Sequence, residues 1–471
     1  MEGWTVLEWL ALAERELLLF AGFFFLIGAI DELLVDGLWG WLRLSGRLPS
    51  LQFNREDVRK RSLSGTAAVF IPAWREEQVL EHTIAHALKA WPHDDYRIYV
   101  GCYRNDMPTL ESAMRGAGSD PRVRIVVLDC DGPSTKADCL NRLYKALEVD
   151  ERRSGFPVRM IVLHDAEDMV DAAALGLMDK AIDRAEFVQI PVLPLPQKHS
   201  RWIGSHYCEE FAEAHGKTMV VRDWLSTCMP AAGVGCAFDR AMLGSMARRQ
   251  ADGIPFSVDS LTEDYELGMR IEAAGGRSRF LRVRGEDGSL VATRAYFPSR
   301  IDSSVKQKAR WVHGIALQGW ERLGWEGGIA ERWMRLRDRR GPLAALVMAC
   351  GYTFLLLAGL FFILGEIGID RPWQADPLLR FLIIANMASF AWRAVMRFAY
   401  TARDYGFAEG VRAVLRIPIT NIIAIMASRR ALAGYVKSLR GEVTVWDKTV
   451  HETHPAAAQL QPEPQRQKVV A

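Results

Sequence analysis

The chain is predicted to be α/β, with a parallel-rich sheet covered by helices at its centre and transmembrane and interfacial helices on either side. Three observations lead there. Short β-prone runs alternate with helical patterns from about residue 65 to residue 320. Strongly apolar stretches lie on both sides of that segment. Four polar motifs fall inside it in order: Asp165-Ala166-Glu167-Asp168, Gly233-Val234-Gly235, Thr262-Glu263-Asp264 and Gln307-Lys308-Ala309-Arg310-Trp311. A chain of 471 residues can hold one large domain plus further elements. The net charge of +2 gives no nucleic-acid signal, and the 7 cysteines show no C-x-x-C spacing, which points to a reduced environment.

Residues 17–42 are mostly apolar, with Phe20, Phe23, Phe24 and Phe25 at their centre. Asp31, Glu32 and Asp36 interrupt them, so the span is expected to end near Ile30 or to tilt. Residues 342–367 and 378–400 are two further candidates, each long enough for a bilayer that ~20 residues cross. A buried core helix is the alternative for each. Residues 417–427 are apolar but short and bracketed by Arg412, Arg416, Arg429 and Arg430, so they are expected to lie in the interface. The acidic N-terminus does not read as a cleavable signal peptide. Arg43, Arg47 and Arg55 follow the first span and Arg332 to Arg340 precede the second, whereas Glu366, Asp370 and Asp376 sit between the second and third. The positive-inside rule then puts 43–341 and the tail in the cytoplasm and the N-terminus outside. The expected organisation is a transmembrane helix in 1–42, a cytoplasmic catalytic domain in 43–320, an interfacial helix in 321–341, two spans in 342–400, an interfacial region in 401–446 and a disordered tail in 447–471.

Within the central segment, runs at 67–71, 97–100, 123–128 and 160–163 read as strands, with helical spacing after several of them. That rhythm means a parallel sheet covered on both faces, whose ligands bind at the carboxyl ends of strands. Glu76, Asp106 and Asp165 fall after the first, second and fourth strands. Residues 305–320 look helical. Trp320, Trp325 and Trp333 then alternate with Arg322, Arg332, Arg335, Arg337, Arg339 and Arg340, which suits a helix at headgroup level or a solvated basic linker. From His454 on, Pro, Ala and Gln predominate and disorder is expected.

Asp165 and Glu167, paired carboxylates at a strand end, can hold Mg²⁺ or Mn²⁺ against a diphosphate; the plainer alternative is acids capping the next helix. Thr262 could be an N-cap, and the acids after it could merely suit the helix dipole. The functional alternative is a general base for a sugar hydroxyl, Asp264 first and Glu263 second. Gln307 and Trp311 share a helix face at i, i+4 beside Arg310, so Arg can clamp a phosphate, Trp can stack on a sugar and Gln can bond its hydroxyls. Gly233 and Gly235 allow close approach of backbone to a ligand, although most G-x-G pairs mark ordinary turns. Lys136 opens a helix, where it could reach a phosphate.

With those residues assembled, the chain resembles the family-two glycosyltransferases, in particular the membrane-embedded branch with cellulose and hyaluronan synthases. Ile71-Pro72-Ala73-Trp74-Arg75-Glu76-Glu77 is similar to that family's opening P-x-x-N-E segment, with Arg75 in place of Asn. Lys136-Ala137-Asp138-Cys139-Leu140-Asn141 is similar to K-A-x-x-L-N, and Asp165 and Glu167 fall on D-x-D, with Asp168 as a substitute ligand. Thr262-Glu263-Asp264 and Gln307-Lys308-Ala309-Arg310-Trp311 match without departure. Tyr103-Arg104-Asn105-Asp106 departs from the expected D-D-G-like segment. The resemblance covers roughly 65–320 and implies a GT-A-type, Rossmann-like domain. It implies that Glu76, Asp106, Lys136 and Asp165 bind a uridine nucleotide. Asp165 and Glu167 would serve Mg or Mn, Asp264 would be the base, and Gln307, Arg310 and Trp311 would line the acceptor and phosphate, with Gly233 and Gly235 beside them.

Val100-Gly101-Cys102-Tyr103-Arg104-Asn105-Asp106, His164-Asp165-Ala166-Glu167-Asp168 and Trp446-Asp447-Lys448-Thr449 resemble the bacterial inner-membrane glycosyltransferases called phage adsorption protein B. That likeness implies an exported surface glycan, an amino-sugar donor such as UDP-N-acetylmannosamine or UDP-N-acetylglucosamine, and an export or cyclic-di-GMP-binding partner, since the chain is expected to end too soon to hold such a domain. The alternatives are transfer of one sugar to polyprenyl phosphate and, in another class, a non-catalytic membrane scaffold. The expected partners are therefore a UDP-sugar, a glycan or lipid-linked acceptor and membrane lipids, with no nucleic acid.

Overall fold

A computed structural model describes residues 5–48, 52–369, 371, 373–441 and 454–460. Trp446-Asp447-Lys448-Thr449 and most of 447–471 lie outside the described residues. The centre is a 7-stranded sheet. In chain order its strands are β1 (Ala67–Ala73), β2 (Tyr96–Tyr103), β3 (Val123–Leu128), β4 (Met160–Leu163), β5 (Phe187–Gln189), β6 (Cys236–Asp239) and β7 (Ser278–Phe280). Their spatial order is β3-β2-β1-β4-β6-β5-β7, and β6 alone runs antiparallel to its neighbours. The chain builds outward from β1 to β3 and then returns to the other side of β1. The switch point of the sheet is thus between β1 and β4, where a crevice opens at the carboxyl ends of strands.

Strand residues alternate between two apolar layers, as a period of 2 requires. Val69, Ile71, Ile98, Val100 and Val162 pack with Ile84, Ala87 and Trp91 on one face. Ala68, Phe70, Tyr99, Ile161 and Leu163 pack with Leu140, Leu143 and Leu147 on the other. Burial on both faces explains why β1 is apolar along its whole length. The helix expected from Glu76 begins only at Leu80, after a turn that carries Arg75 at φ +55°.

Among the described residues, three single helices are long and apolar enough to cross a membrane: Val6–Leu44, Gly341–Glu366 and Pro377–Tyr405. In the first, the span is expected to end near Ile30 or to tilt, and the helix itself continues unbroken past that point for 39 residues in all, about 60 Å at 1.5 Å per residue. The acids that follow Ile30 are paired. Asp31 meets Arg337 and Arg340, Glu32 meets Arg337 and Arg393 (2.9 and 3.0 Å), and Asp36 meets the fully buried Lys217 at 2.5 Å.

The arginines of 321–341 differ for the same reason. Expected at headgroups or in solvent, several face protein. Within the helix Ile329–Arg339, Arg335 bonds Glu331, Arg337 reaches the first helix, and Arg339 donates to the Gly319 and Gly324 carbonyls at 2.8 and 2.6 Å. The apolar run 417–427 is the first half of a longer helix, Ile417–Leu439, bent by 53° against Phe407–Leu415; together the pair has the length and apolarity of a broken span or a re-entrant loop. Arg416 at the bend is buried between Glu209 and Glu409. Ala427 and Ala431 then pack on Ala309, so this helix leans on the Gln307–Trp311 segment. His454–Leu460, expected to be disordered, is placed: Pro455–Leu460 is helical, and the buried His454 stacks on His82 with its Nε2 3.2 Å from the Asp168 carbonyl. Proline and alanine suit a first helical turn, and the aromatic contact cannot be read from composition.

Candidate active site

The crevice is assembled from segments far apart in the chain. At the end of β1, the left-handed turn at Arg75 is held by the Asp106 carboxylate, which accepts the Arg75 N–H at 2.6 Å. Glu76 is buried beside it, its N–H bonded to Thr109 Oγ1 at 2.8 Å. Asp106 thus has a structural duty that its expected nucleotide-binding role did not include, with one oxygen committed to backbone. Lys136 is the first residue of the helix Lys136–Ser154, which Thr135 caps by accepting the Asp138 N–H at 3.1 Å. Its Nζ reaches Asp165 Oδ1 at 2.5 Å, just past β4.

The acidic motif after β4 divides in two. Asp165 is half-buried and faces Lys136. Asp168 is turned into the protein, where Oδ2 accepts from His164 Nδ1 at 2.8 Å and from the Asp165 N–H at 3.0 Å. That corrects its expected role as a substitute metal ligand: Asp168 fixes the loop, and burial pushes its carboxyl pKa up against the pull of His164. The helix-capping alternative fails as well, because the next helix, Ala174–Ile182, has no side-chain cap. Glu167 is half-buried on the same loop.

Thr262 occupies the N-cap position of Glu263–Ala273 without bonding a backbone N–H, and its buried Oγ1 has no partner among the described residues. Its side chain instead packs on Gly314, where a Cβ would come under 3.0 Å from it. Leu261 N–H donates to Gln318 Oε1 at 3.1 Å. These two contacts lock Thr262-Glu263-Asp264 to the segment after Trp311, a π-helix over Val312–Gln318. Widened helical turns of that kind are frequent at functional sites. Gly314 was not singled out from sequence; a glycine inside a helical run was the available signal.

Gly233, at φ +75°, lies so close to Asp264 that a Cβ would come under 3.0 Å from Oδ2. Gly235, at φ +59°, meets Thr293 and Ile190 rather than the cleft, which corrects its assignment to ligand contact. Its glycine is required for packing of the strand behind the site.

Lys136, Glu263, Asp264, Arg310 and Trp311 line one cleft of about 320 Å³, together with Thr135, Asp259 and Ser260. Burial pushes the Glu263 carboxyl up to about 7, the Asp264 charge adds to that, and Lys136 pulls back. Asp264 is raised by burial too, against the pull of Lys136. Burial also disfavours the Lys136 ammonium, but Asp165, Glu263 and Asp264 outweigh it and hold its pKa above the ordinary range. Asp165, Glu263 and Asp264 thus share the cations Lys136 and Arg310, and in this buried setting Glu263 and Asp264 are left short of compensating positive charge. Such a donor set fits one divalent cation, which takes one or two carboxylates and completes its shell with phosphate oxygens and water. Asp165 and Glu167, both half-buried on the loop after β4, could hold one.

On the helix Ile301–Trp311, Gln307 Oε1 is buried with no partner among the described residues. Trp311 packs edge-on against Tyr207, 6.1 Å between ring centroids at 85°, which leaves its ring to line the cleft. Lys308, one turn earlier on the same helix, forms an ion pair with Glu210 and lies over the Tyr207 ring at 5.1 Å. That support for the Arg310–Trp311 turn was not read from the sequence.

A family model described as "Glycosyltransferase like family 2" matches residues 65–314. Bacteriophage adsorption protein B of Escherichia coli K12 is 30% identical over 456 residues, which is 90% of this chain and 60% of that protein. Bacteriophage N4 adsorption protein B of E. coli O157:H7 gives the same values. The chain therefore spans 60% of the length of these curated relatives. Among solved structures, glucosyl-3-phosphoglycerate synthase from Mycobacterium tuberculosis in complex with Mg²⁺ and UDP aligns at a TM-score of 0.35 and 14% identity, over 59% of this chain and 86% of that one. S. aureus TarS 1-349 aligns at 0.34 and 11%, over 80% and 92%. The family match runs from just before β1 through Gly314, the stretch that carries every residue of the cleft. The chain belongs to glycosyltransferase-like family 2.

Proposed function

We propose that the chain transfers an N-acetylhexosamine from a UDP donor, with inversion, onto a growing surface or exported polysaccharide at the inner membrane, the catalytic segment lying on the cytoplasmic side. The observation that carries this reading is the convergence of Asp264, Lys136 and Arg310 on one cleft bordered by Trp311. The acceptor hydroxyl oxygen attacks the anomeric carbon, the bond from that carbon to the diphosphate oxygen breaks, and the hydroxyl proton passes to Asp264. A carboxyl raised by burial is a better base than an exposed one. Lys136 and Arg310 attract the diphosphate charge as it develops, and the planar Arg310 fork suits two phosphate oxygens. A bound Mg²⁺ or Mn²⁺, held by Asp165 and Glu167, would supply further neutralisation of the leaving diphosphate. Glu76 and Asp106, at the ends of β1 and β2, would contact the nucleotide. Trp311 and Gln307 orient the acceptor sugar, Gln307 through its unpaired oxygen.

The apolar helices around the catalytic segment support a membrane location, and the names of the curated relatives, which concern bacteriophage adsorption, support a surface glycan as product. An export or cyclic-di-GMP-binding partner belongs to the same reading. The test is incubation of the purified full chain with a panel of radiolabelled UDP-sugars and Mn²⁺. The expected product is polymer from one UDP-N-acetylhexosamine. A single sugar on polyprenyl phosphate would replace the acceptor, and no UDP release from any donor would sink the proposal.

A further inference from the structure

Where the helices Val6–Leu44 and Pro377–Tyr405 leave their apolar stretches, arginines outnumber the acids that could match them. Asp404 has a nearly buried carboxylate shared by Arg282 at 3.1 Å and by Arg284. Arg403 beside it, and Arg43 in the last turn of the first helix, have no acidic partner within 4.0 Å among the described residues. The Trp39 and Tyr400 rings, 5.5 Å apart, bring the two helix ends together, with Arg43 over Trp39 at 5.7 Å. Arg403 lies within repulsive range of Arg284 and Arg43. The acids beside Tyr400, Asp36 and Glu213, are already matched by Lys217 and Arg393, and Asp287 faces Arg55. Among the described residues, four guanidinium groups are therefore set against one carboxylate. Arg282 carries a buried Nε with no hydrogen-bond partner among the described residues. Burial, only partly offset by Asp404, and repulsion from Arg403 and Arg284 bring its pKa down to about 10, so it stays charged at an electrostatic disadvantage that an anion would relieve.

We propose that Arg43, Arg282, Arg284 and Arg403 form a binding site for a phosphate-bearing anion, occupied by the headgroup of an anionic phospholipid at the membrane surface. Guanidinium forks pair with phosphate oxygens bidentately, and basic clusters at helix ends attract anionic headgroups. The site is distinct from the catalytic cleft and rests on the two helices crossing the bilayer. The informative variant is Arg43→Gln/Arg403→Gln, because both ion pairs of Asp404 remain. Native mass spectrometry of the full chain, offered equal amounts of phosphatidylglycerol and phosphatidylcholine, should show selective retention of phosphatidylglycerol. The variant should lose that selectivity by roughly tenfold or more, while remaining monodisperse. In a second arm, inorganic phosphate is titrated onto lipid-free protein in neutral detergent and followed by thermal shift. A variant-sensitive shift there without phosphatidylglycerol selectivity would overturn the headgroup assignment in favour of a soluble phosphate. Equal behaviour of wild type and variant in both arms would overturn the site itself. Neither readout requires sugar transfer, so failure of the transferase reading leaves this test intact.

Discussion

Asp264 is held in place by a residue with no side chain. Its Oδ2 rests against Gly233 and its Oδ1 accepts the Tyr265 N–H at 2.7 Å, so the carboxylate has little freedom to turn. Asp264→Asn is nearly isosteric and should lower acceptor-dependent turnover by roughly 10²–10⁴ while donor binding survives. Normal turnover in that variant, with loss in Glu263→Gln, would move the base by one residue. The pH dependence has its origin in the same environment. Both carboxyls are raised, Glu263 to about 7, and a base works only when ionised. Turnover should therefore fall as pH is lowered, with a midpoint above the ~3.9–4.3 of free carboxyls. A rate that is flat down to ~pH 4 would exclude both acids as the base. Asp165→Asn should abolish turnover, and EDTA should do so reversibly; full activity in EDTA would remove the cation from the mechanism.

The helix that carries Gln307, Arg310 and Trp311 is gripped from three sides. Lys308 ties it to Glu210, Ala309 packs on Ala427 and Ala431, and Gly314 closes onto Thr262. Position along this element therefore separates residues that act from residues that support. Arg310→Lys keeps the charge but loses the planar fork, so turnover should fall strongly with no loss of fold by circular dichroism. Trp311→Ala should impair transfer more than donor hydrolysis, measured as UDP release with and without acceptor. Equal losses in both assays would reduce Trp311 to a support for the aromatic contacts it makes with Tyr207.

At the scale of the molecule, the catalytic domain and the apolar helices are joined through buried charge rather than through a linker. Lys217 is fully buried among Asp36, Glu32 and Glu213, and Arg393 joins Glu32 to Glu213. Removing one partner from such a group leaves a buried charge unmatched, at a cost of about 3–5 kcal/mol. Lys217→Met should lower the thermal midpoint of the detergent-solubilised full chain markedly. Lys217→Met combined with Asp36→Asn should recover part of the loss. Absence of any shift would mean that the domain does not depend on this junction.

Sequence by itself determined the strands and the acidic residues at their ends. Alternation between β-prone and helical runs placed β1 to β4 within a few residues, because a strand buried on both faces must be apolar throughout. The carboxyl-end rule then located Glu76, Asp106 and Asp165. The order of the motifs was legible too, and with it the family. Periodicity carries no information on where a side chain ends, and that is what the tertiary structure decided. Asp168 and Asp165 stand three residues apart in one acidic run, yet one faces His164 and the other Lys136. Gly233 and Gly235 look alike in the chain, yet one backs Asp264 and the other Thr293. Asp31, Glu32 and Asp36 read as the end or the tilt of a span because a local pattern treats every charge as unpaired. Their partners stand some 180 to 360 residues further along the chain, and only folding brings them within hydrogen-bonding distance.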